Sequence, residues 1–408
     1  MERGNVKINN PERFKGDHSI APEKLQAAIK KATDKLASKL DIYKDGFPQN
    51  MKQDGTSYNF YKIGENNSWQ SGMHTGTLIL AYQLTGEQKF LDATINHIPT
   101  YQHRFDNRAE RKYDMNSHDV GFAFSPSMVA LYKLTGNEDA KRLALGAALH
   151  FYNIAYSERG KFIVRSPMRA TEDWACRTMM DTLMNAPLLF WAGEETDNTM
   201  FTEAAYNQEK ITRDLLIRED GSSYHHYQFD PITHKPVGGV TFQGNRDEST
   251  WSRGQAWGVY GFAIGYDYTG DDSLLKVQND TVAYTLNNLP DDLIPYWDYD
   301  FTTGSDEPRD SSAAIISACG MLEAIKYMPE NAPEIEIYQN AASMLVEAVI
   351  DKYTGDTDNN GLGYDGLYWG CTGARKFDIG IEGCAQYGDY FYLEALLRLS
   401  DPDWKRFW

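Results

Sequence analysis

Apolar positions recur at helical spacing along most of the chain. The first segment carries Leu25, Ile29, Leu36 and Leu40 with lysines between them, which predicts an amphipathic surface helix. The next segment, over residues 72–84, is apolar or small on all sides. A helix with this composition is expected inside the protein. Apolar and amphipathic segments continue to alternate, so the pattern predicts that inner and outer helices follow one another.

Tight turns and long loops join these segments alternately. Thr-Gly pairs at 85–86, 135–136 and 269–270 end three of the apolar segments, and glycine suits a left-handed helix cap. There are about twelve predicted helices and almost no strand pattern. The sequence therefore predicts an all-α fold, an (α/α)6 barrel of six inner and six outer helices in one domain over residues 1–408, and favours it over an open solenoid. The predicted inner helices cover residues 72–84, 122–134, 182–193, 252–268, 311–327 and 390–399.

Each long loop in this scheme leads from an outer helix to an inner one, so all of them gather at one face of the barrel. Long loops in a compact domain are usually functional. Most of the polar and aromatic clusters of the chain lie in or beside these loops. The candidate residues are Trp69, His118, Asp119, Asp181, His225, Gln243, Arg253, Trp257, Trp297 and Tyr368.

Two carboxylates stand out among these candidates. Asp181 lies in the apolar run 176–191, where burial would raise its pKa and keep a proton available for general acid catalysis. The alternative is that Asp181 only caps the helix that contains Pro187. Asp119 lies in the same way just before a second predicted helix start, at Ser125. Two acids with aromatic walls around them suggest a sugar site.

Arg253 is a candidate clamp for a substrate carboxylate, because its planar donors match that group. An ion pair with Asp247 or Glu248 is an equally good interpretation of the sequence. His225 and His226 are adjacent, and no cysteine or acid lies near them at ligand spacing, so we expect no zinc site. The sequence contains no nucleotide-binding fingerprint, and we expect neither a metal nor another cofactor.

Charge and composition exclude several kinds of partner. The formal net charge of -18 disfavours nucleic acid and anionic membrane surfaces, and no segment is apolar enough to span a bilayer. Residues 1–7 lack the apolar core of a signal peptide, which favours a cytoplasmic location, or a periplasmic one if a leader has been removed. The four cysteines have no CxxC spacing and are expected to be free thiols. We expect a monomer or a weak homodimer.

Several blocks, in the same order over nearly the whole chain, resemble the unsaturated glucuronyl hydrolases of glycoside hydrolase family 88. The blocks are HDVGF at 118–122, residues 181–193, SSYH at 222–225, QGN at 243–245, RGQAWG at 253–258, YWD at 296–298, PRDSSA at 308–313 and residues 388–397. The fold of this family is an (α/α)6 barrel, in agreement with the helix pattern. The resemblance implies an enzyme that removes a 4,5-unsaturated uronic acid from the non-reducing end of oligosaccharides made by polysaccharide lyases.

The resemblance also implies roles for the candidate residues. Asp181 would protonate C4 of the vinyl ether and then, as its carboxylate, help water to add at C5. Asp119 would hold the C2 and C3 hydroxyls. Those expected to bind the uronate are His118, His225, Gln243, Arg253 and Trp257, those expected to form aromatic walls are Trp69 and Trp297, and Tyr368 is a further binding candidate.

Some positions depart from the family pattern. Residues 162–167 replace a Gln-Ala-Trp-Gly segment that supplies a stacking wall in many members. Members that accept sulfated glycosaminoglycans have an Arg at the position of Phe242, and hydroxyl and Lys residues near Trp369, Thr372 and Ala374. We therefore expect unsulfated substrates to be preferred. The alternative is that Arg165 or Arg169 supplies a replacement site for sulfate. Two alternatives are an unsaturated rhamnogalacturonyl hydrolase, with the same chemistry, and a sugar epimerase, which would depend on histidine bases.

Overall fold

The computed structural model describes residues 3–50, 59–165 and 176–407. Its helices account for most of these residues, and its strands are short. The helices are α1 (Pro22–Ala37), α2 (Gln70–Thr85), α3 (Gln88–Asn96), α4 (Ile98–Asp106), α5 (Val120–Phe124), α6 (Ala130–Thr135), α7 (Glu138–Ala155), α8 (Thr182–Asn185), α9 (Pro187–Thr196), α10 (Thr199–Ile211), α11 (Ser252–Thr269), α12 (Asp272–Asn287), α13 (Ser311–Ala324), α14 (Pro333–Tyr353) and α15 (Gln386–Ser400). The strands are β1 (Phe47–Asn50), β2 (Tyr61–Gly64), β3 (Tyr156–Ser157), β4 (Phe162–Ile163), β5 (Arg177–Met179), β6 (His226–Phe229) and β7 (Pro236–Val240).

Six helical units form a closed inner ring, which confirms the predicted (α/α)6 barrel. The units are α2, α5 with α6, α8 with α9, α11, α13 and α15; each packs against the next, and α15 packs against α2. Every residue of α13 is buried. Only one stripe of α1 is buried, as expected for an outer helix. None of the helices in the described ranges is both long enough and apolar enough to cross a bilayer.

Local turn chemistry separates the inner helices from the outer ones. Gly86, Gly136 and Gly270 follow three inner helices with φ of 69°, 70° and 64°, a left-handed conformation that glycine adopts without strain. Asn137 and Asp271 then cap the next outer helices, because their side chains accept hydrogen bonds from backbone N–H groups. These tight turns lie opposite the long loops, so the candidate residues share one face.

Several helix boundaries differ from the prediction. The outer segment after α2 forms two helices, α3 and α4, where the alternating pattern predicts one, and α4 begins next to Pro99. The α5–α6 unit passes through a π-helical turn, Ser125–Val129, that contains Pro126. The inner helix predicted to reach residue 327 ends at Ala324, and a 3-10 turn follows.

The strand content was underestimated. The connection between α1 and α2 contains β1 and β2, which pair with each other, and β3 pairs with β4. A third sheet has the order β5-β6-β7 and is antiparallel. It lies in the long loops before α8 and α11, at the face of the barrel that carries the candidate residues.

Candidate functional site

One asparagine joins the two helix starts that carry the candidate acids. Asn185 Oδ1 accepts a hydrogen bond from Phe122 N at 2.7 Å, and its Nδ2 donates to Asp181 O at 2.9 Å. The helices approach closely because Gly121 has no side chain; a Cβ there would lie 2.3 Å from the Asn185 carbonyl oxygen. Asp119 precedes α5 and Asp181 precedes α8, so this contact holds both carboxylates at one position in the ring.

The β5–β6 pairing brings His225 to the same place. Met179 is paired with His226, and Met180 N donates to His225 O at 3.1 Å. His225 directly precedes β6, and Asp181 lies just after the end of β5. Because the two strands are antiparallel, both residues lie at the same end of the strand pair. The Nε2 atom of His225 lies 4.0 Å from Oδ1 of Asp181.

These elements surround a cavity of about 140 Å³ at the loop face. Seven of the ten candidate residues line it: Trp69, His118, Asp119, Asp181, Gln243, Arg253 and Trp257. The other described lining residues are Phe122, Arg165, Met179, Phe242 and Trp251.

Burial controls the charge of Asp181. Its side chain is 13% exposed, and Oδ1 has no hydrogen-bond partner among the described residues. Removal from water raises the pKa of this carboxyl to about 6; the charge of Asp119 adds to the increase, while His118 and Arg253 oppose it. The side chain makes no capping hydrogen bond to α8, so the interpretation of Asp181 as a helix cap is wrong.

The pKa of Asp119 is shifted in the opposite direction. Burial by itself would raise its pKa, but the neighbouring His118 and Arg165 charges, together with a hydrogen bond from Ser117, keep the pKa below its usual value. His118 Nε2 lies 3.2 Å from Asp119 Oδ1, and its Nδ1 lies 2.8 Å from the Thr182 hydroxyl oxygen. His118 therefore links the start of α5 to the start of α8. The site contains one carboxylate and one carboxyl group that keeps its proton to higher pH.

Arg253 is fixed by contacts from two directions. Its Nη1 donates to Asp310 Oδ2 at 2.6 Å and to Thr372 O at 2.5 Å, and its Nη2 donates to Gly373 O at 2.6 Å. The guanidinium carbon also lies 4.5 Å from the centre of the Trp251 ring. The ion-pair partner is thus Asp310, and the interpretation with Asp247 or Glu248 is wrong. Among the described contacts, Nε–H and one Nη2–H are left for a ligand.

His225 and Gln243 are held by the same pair of loops. His225 Nδ1 accepts hydrogen bonds from Phe242 N at 3.3 Å and Gln243 N at 3.2 Å. The Gln243 amide donates to Gly373 O at 2.9 Å. His225 is almost fully buried, and this burial lowers its pKa well below the usual value. It is therefore neutral, with its proton on Nε2.

The aromatic candidates divide into two groups. Trp69 lies in the cavity wall and stacks on Tyr387, with ring centres 5.4 Å apart. Trp257 also lines the cavity but is almost fully buried, and its Nε1 has no partner among the described residues. Trp297 and Tyr368 do not line the cavity. Trp297 donates to Glu307 at 2.8 Å, and Tyr368 is fully buried against Tyr392.

Sequence reasoning missed several residues of the site. Asp310 and Trp251, which orient Arg253, and Asn185, which joins the helix starts, were not selected, although each lies in or next to a block of the family pattern. Residues 162–164 are buried core, so they form no cavity wall. Arg169 lies outside the described residues. Within the described ranges, no group of three or more His, Cys, Asp or Glu side chains is arranged to hold a metal ion.

Comparisons with known proteins agree with this architecture. The family model Glycosyl Hydrolase Family 88 matches residues 20–378. The chain is 35% identical to an unsaturated chondroitin disaccharide hydrolase of Streptococcus pneumoniae, over 98% of each chain. It is 35% identical to an unsaturated glucuronyl hydrolase of Bacillus sp., over 92% of this chain and 96% of that one. The crystal structure of an unsaturated glucuronyl hydrolase from Streptococcus agalactiae superposes with a TM-score of 0.91 at 33% identity and covers both chains completely. The chain therefore belongs to Glycosyl Hydrolase Family 88.

Proposed function

We propose that this protein is a glycosidase that releases a 4,5-unsaturated uronic acid from the non-reducing end of lyase-generated oligosaccharides. The observation that carries the proposal is the pair of acids in different charge states, Asp181 with a pKa of about 6 and Asp119 with a lowered pKa, in one cavity with Arg253. An acid that retains its proton in mildly acidic solution can protonate an electron-rich double bond. The relatives from Streptococcus pneumoniae and Bacillus sp. are both named as hydrolases of unsaturated sugars.

Binding of the uronate depends on Arg253 in this proposal. The remaining N–H groups of its guanidinium donate hydrogen bonds to the planar carboxylate at C5, while Asp310 and the carbonyls of Thr372 and Gly373 keep the guanidinium from turning. The walls formed by Trp69 and Trp257 cover the ring. Asp119, as an anion, accepts hydrogen bonds from ring hydroxyls and at the same time raises the pKa of Asp181.

The chemical steps follow from the charge states. The Asp181 carboxyl donates its proton to C4, and positive charge develops at C5, where the ring oxygen shares it. The Asp181 carboxylate then takes a proton from water as the water oxygen bonds to C5. The resulting hemiketal opens to a ketone at C5, and the hemiacetal at C1 releases the neighbouring sugar as an alcohol. The net change is the addition of one water molecule, and Asp181 ends in its protonated form.

A panel of unsaturated disaccharides tests this function. Loss of the ultraviolet absorbance of the conjugated double bond, with release of the second sugar, is the expected result for at least one member. The panel includes an unsaturated galacturonyl-rhamnose disaccharide, which measures the rhamnogalacturonyl alternative. A sugar epimerase would leave the absorbance unchanged and return an isomer of the substrate. Absence of absorbance loss with every member would contradict the proposal.

A further inference from the structure

Two phenylalanines form an exposed aromatic pair beside the cavity. Phe242 and Phe377 are 46% and 42% exposed, although their ring centres lie only 4.7 Å apart at an angle of 33°. They come from different long loops, one before α11 and one before α15. Exposed apolar surface of this kind gives no benefit to folding and commonly marks a binding surface. We call Phe242 and Phe377 the mouth pair.

The positions of both rings are fixed by hydrogen bonds between their loops. The carbonyl oxygen of Gly373 accepts hydrogen bonds from Gln243 and Arg253, at 2.9 Å and 2.6 Å. Phe242 directly precedes Gln243, and Phe377 N donates to Ala374 O at 3.0 Å in the turn that follows Gly373. The contacts that orient the uronate-binding groups therefore also place the mouth pair.

The mouth pair continues the cavity outward. Phe242 lines the cavity together with Asp181 and Arg253, whereas Phe377 is not one of its lining residues. The surface therefore starts at the uronate site and extends away from it. A sugar joined to C1 of a uronate in the cavity would lie next to it, and the mouth pair provides an exposed aromatic surface that is continuous with the cavity wall through Phe242.

We propose that the mouth pair is a stacking platform for the leaving sugar, selecting a ring with an uncharged, apolar C–H face. This inference rests on the proposed function, because it places the unsaturated uronate in the cavity. Aromatic faces bind the apolar side of a sugar ring. The Thr372 hydroxyl already donates to Arg309 O at 2.6 Å, and Ala374 has no side-chain donor, so neither residue offers a hydrogen bond to the leaving sugar. Phe242 and Phe377 thereby determine specificity for the leaving group.

Kinetics with two leaving groups test the platform. The substrates are an unsaturated disaccharide with a neutral second sugar and the methyl glycoside of the same unsaturated uronic acid, which is too short to reach Phe377. In Phe377→Ala, we expect the ratio of kcat/KM between disaccharide and methyl glycoside to fall about five- to tenfold. Phe377→Tyr retains the aromatic face and should restore the ratio. Leu149→Ala, an apolar residue of α7 with 47% exposure, is the matched control.

An equilibrium measurement separates the platform from the catalytic proposal. A saturated glucuronyl disaccharide has no double bond to hydrate, so its binding can be measured without the proposed reaction. Its affinity is measured by calorimetry for the wild type, Phe377→Ala and Leu149→Ala. We expect five- to tenfold weaker binding in Phe377→Ala alone. An unchanged affinity and an unchanged kinetic ratio would overturn the platform. If the wild type hydrolyses no unsaturated substrate but Phe377→Ala still binds the disaccharide more weakly, the proposed reaction fails and the sugar platform stands.

Discussion

His225 presents a proton to Asp181 without forming a hydrogen bond to it. Two backbone N–H groups occupy Nδ1 of the ring, so the proton is on Nε2, and this atom lies 4.0 Å from Asp181 Oδ1. A shorter contact would stabilise the carboxylate and lower the pKa of Asp181. The gap therefore helps to keep Asp181 protonated. His225 Nε2–H itself has no hydrogen-bond partner among the described residues.

Replacement of the proton donor is the most direct test of the mechanism. Asp181→Asn has nearly the same shape but cannot transfer a proton, so we expect kcat to fall by roughly a hundredfold or more. The helical circular dichroism spectrum and the melting temperature should remain close to those of the wild type. Asp119→Asn should also reduce turnover strongly. A rate near that of the wild type for Asp181→Asn would remove this residue from the catalytic role.

The pH profile reports the charge of Asp181. Only the protonated acid can donate, so kcat/KM should decrease as pH rises above about 6. Interaction with His118 lowers the pKa values of Asp181 and Asp119, so His118→Asn should raise them. The decrease of kcat/KM should therefore begin at a higher pH. His103→Asn, on the outer helix α4, is the control and should leave the profile unchanged. An unchanged profile in His118→Asn would contradict the assignment.

Sequence reasoning succeeded where the interacting residues are close together in the chain and failed where they are far apart in it. Alternation of apolar and amphipathic helices, with caps such as Gly86, is local, and it was sufficient to predict the barrel. Contacts between distant loops have no local pattern. The Arg253–Asp310 ion pair joins residues 57 positions apart, and β5 pairs with β6 across the long segment between Met179 and His226. The prediction for Arg253 therefore identified a useful cation but the wrong partner.

The leaving sugar should be unsulfated. The resemblance implies charged or hydroxyl groups in sulfate-accepting members at the positions of Phe242, Trp369 and Ala374, and this chain has none there. The hydroxyl of Thr372 already donates a hydrogen bond to Arg309 O. A sulfate near these residues would lose its water without gaining donors. We expect kcat/KM to be several-fold to several-hundred-fold lower for a sulfated disaccharide than for its unsulfated counterpart. Arg165 lies 5.9 Å from the Phe242 ring, and a preference for the sulfated substrate that disappears in Arg165→Gln would reverse this prediction.

A buried acid outside the site should limit stability at neutral pH. Glu209 of α10 is fully buried against Gly265, and neither carboxyl oxygen has a hydrogen-bond partner among the described residues. Burial raises its pKa well above the usual value, so the folded state retains a proton that the unfolded chain loses above about pH 4.3. The free energy of unfolding therefore decreases as pH rises beyond that point, by up to about 1.4 kcal/mol per pH unit, until the folded-state pKa is reached.

Glu209→Gln removes this titration at nearly constant shape. We expect the variant and the wild type to have similar free energies of unfolding at pH 4, and the variant to be more stable at pH 7 to 8. Urea denaturation at a series of pH values measures the difference. Glu203→Gln is a control on the same helix, because Glu203 is exposed and its replacement changes no charge in the core. A difference between Glu209→Gln and wild type that does not change with pH would show that Glu209 is not protonated by burial.

Solvent deuterium distinguishes hydration of the double bond from direct attack at the anomeric carbon. The Asp181 proton exchanges with solvent between turnovers, so a reaction in heavy water should place one deuterium at C4 of the product. Direct displacement at C1 forms no new C–H bond at C4. Since Asp181 is fixed at the start of α8, it delivers to one face of the ring, and a single C4 position should be labelled. NMR spectra recorded early in the reaction avoid later exchange through enolisation of the ketone. Product without deuterium at C4 would exclude the hydration mechanism even if both aspartate variants were inactive.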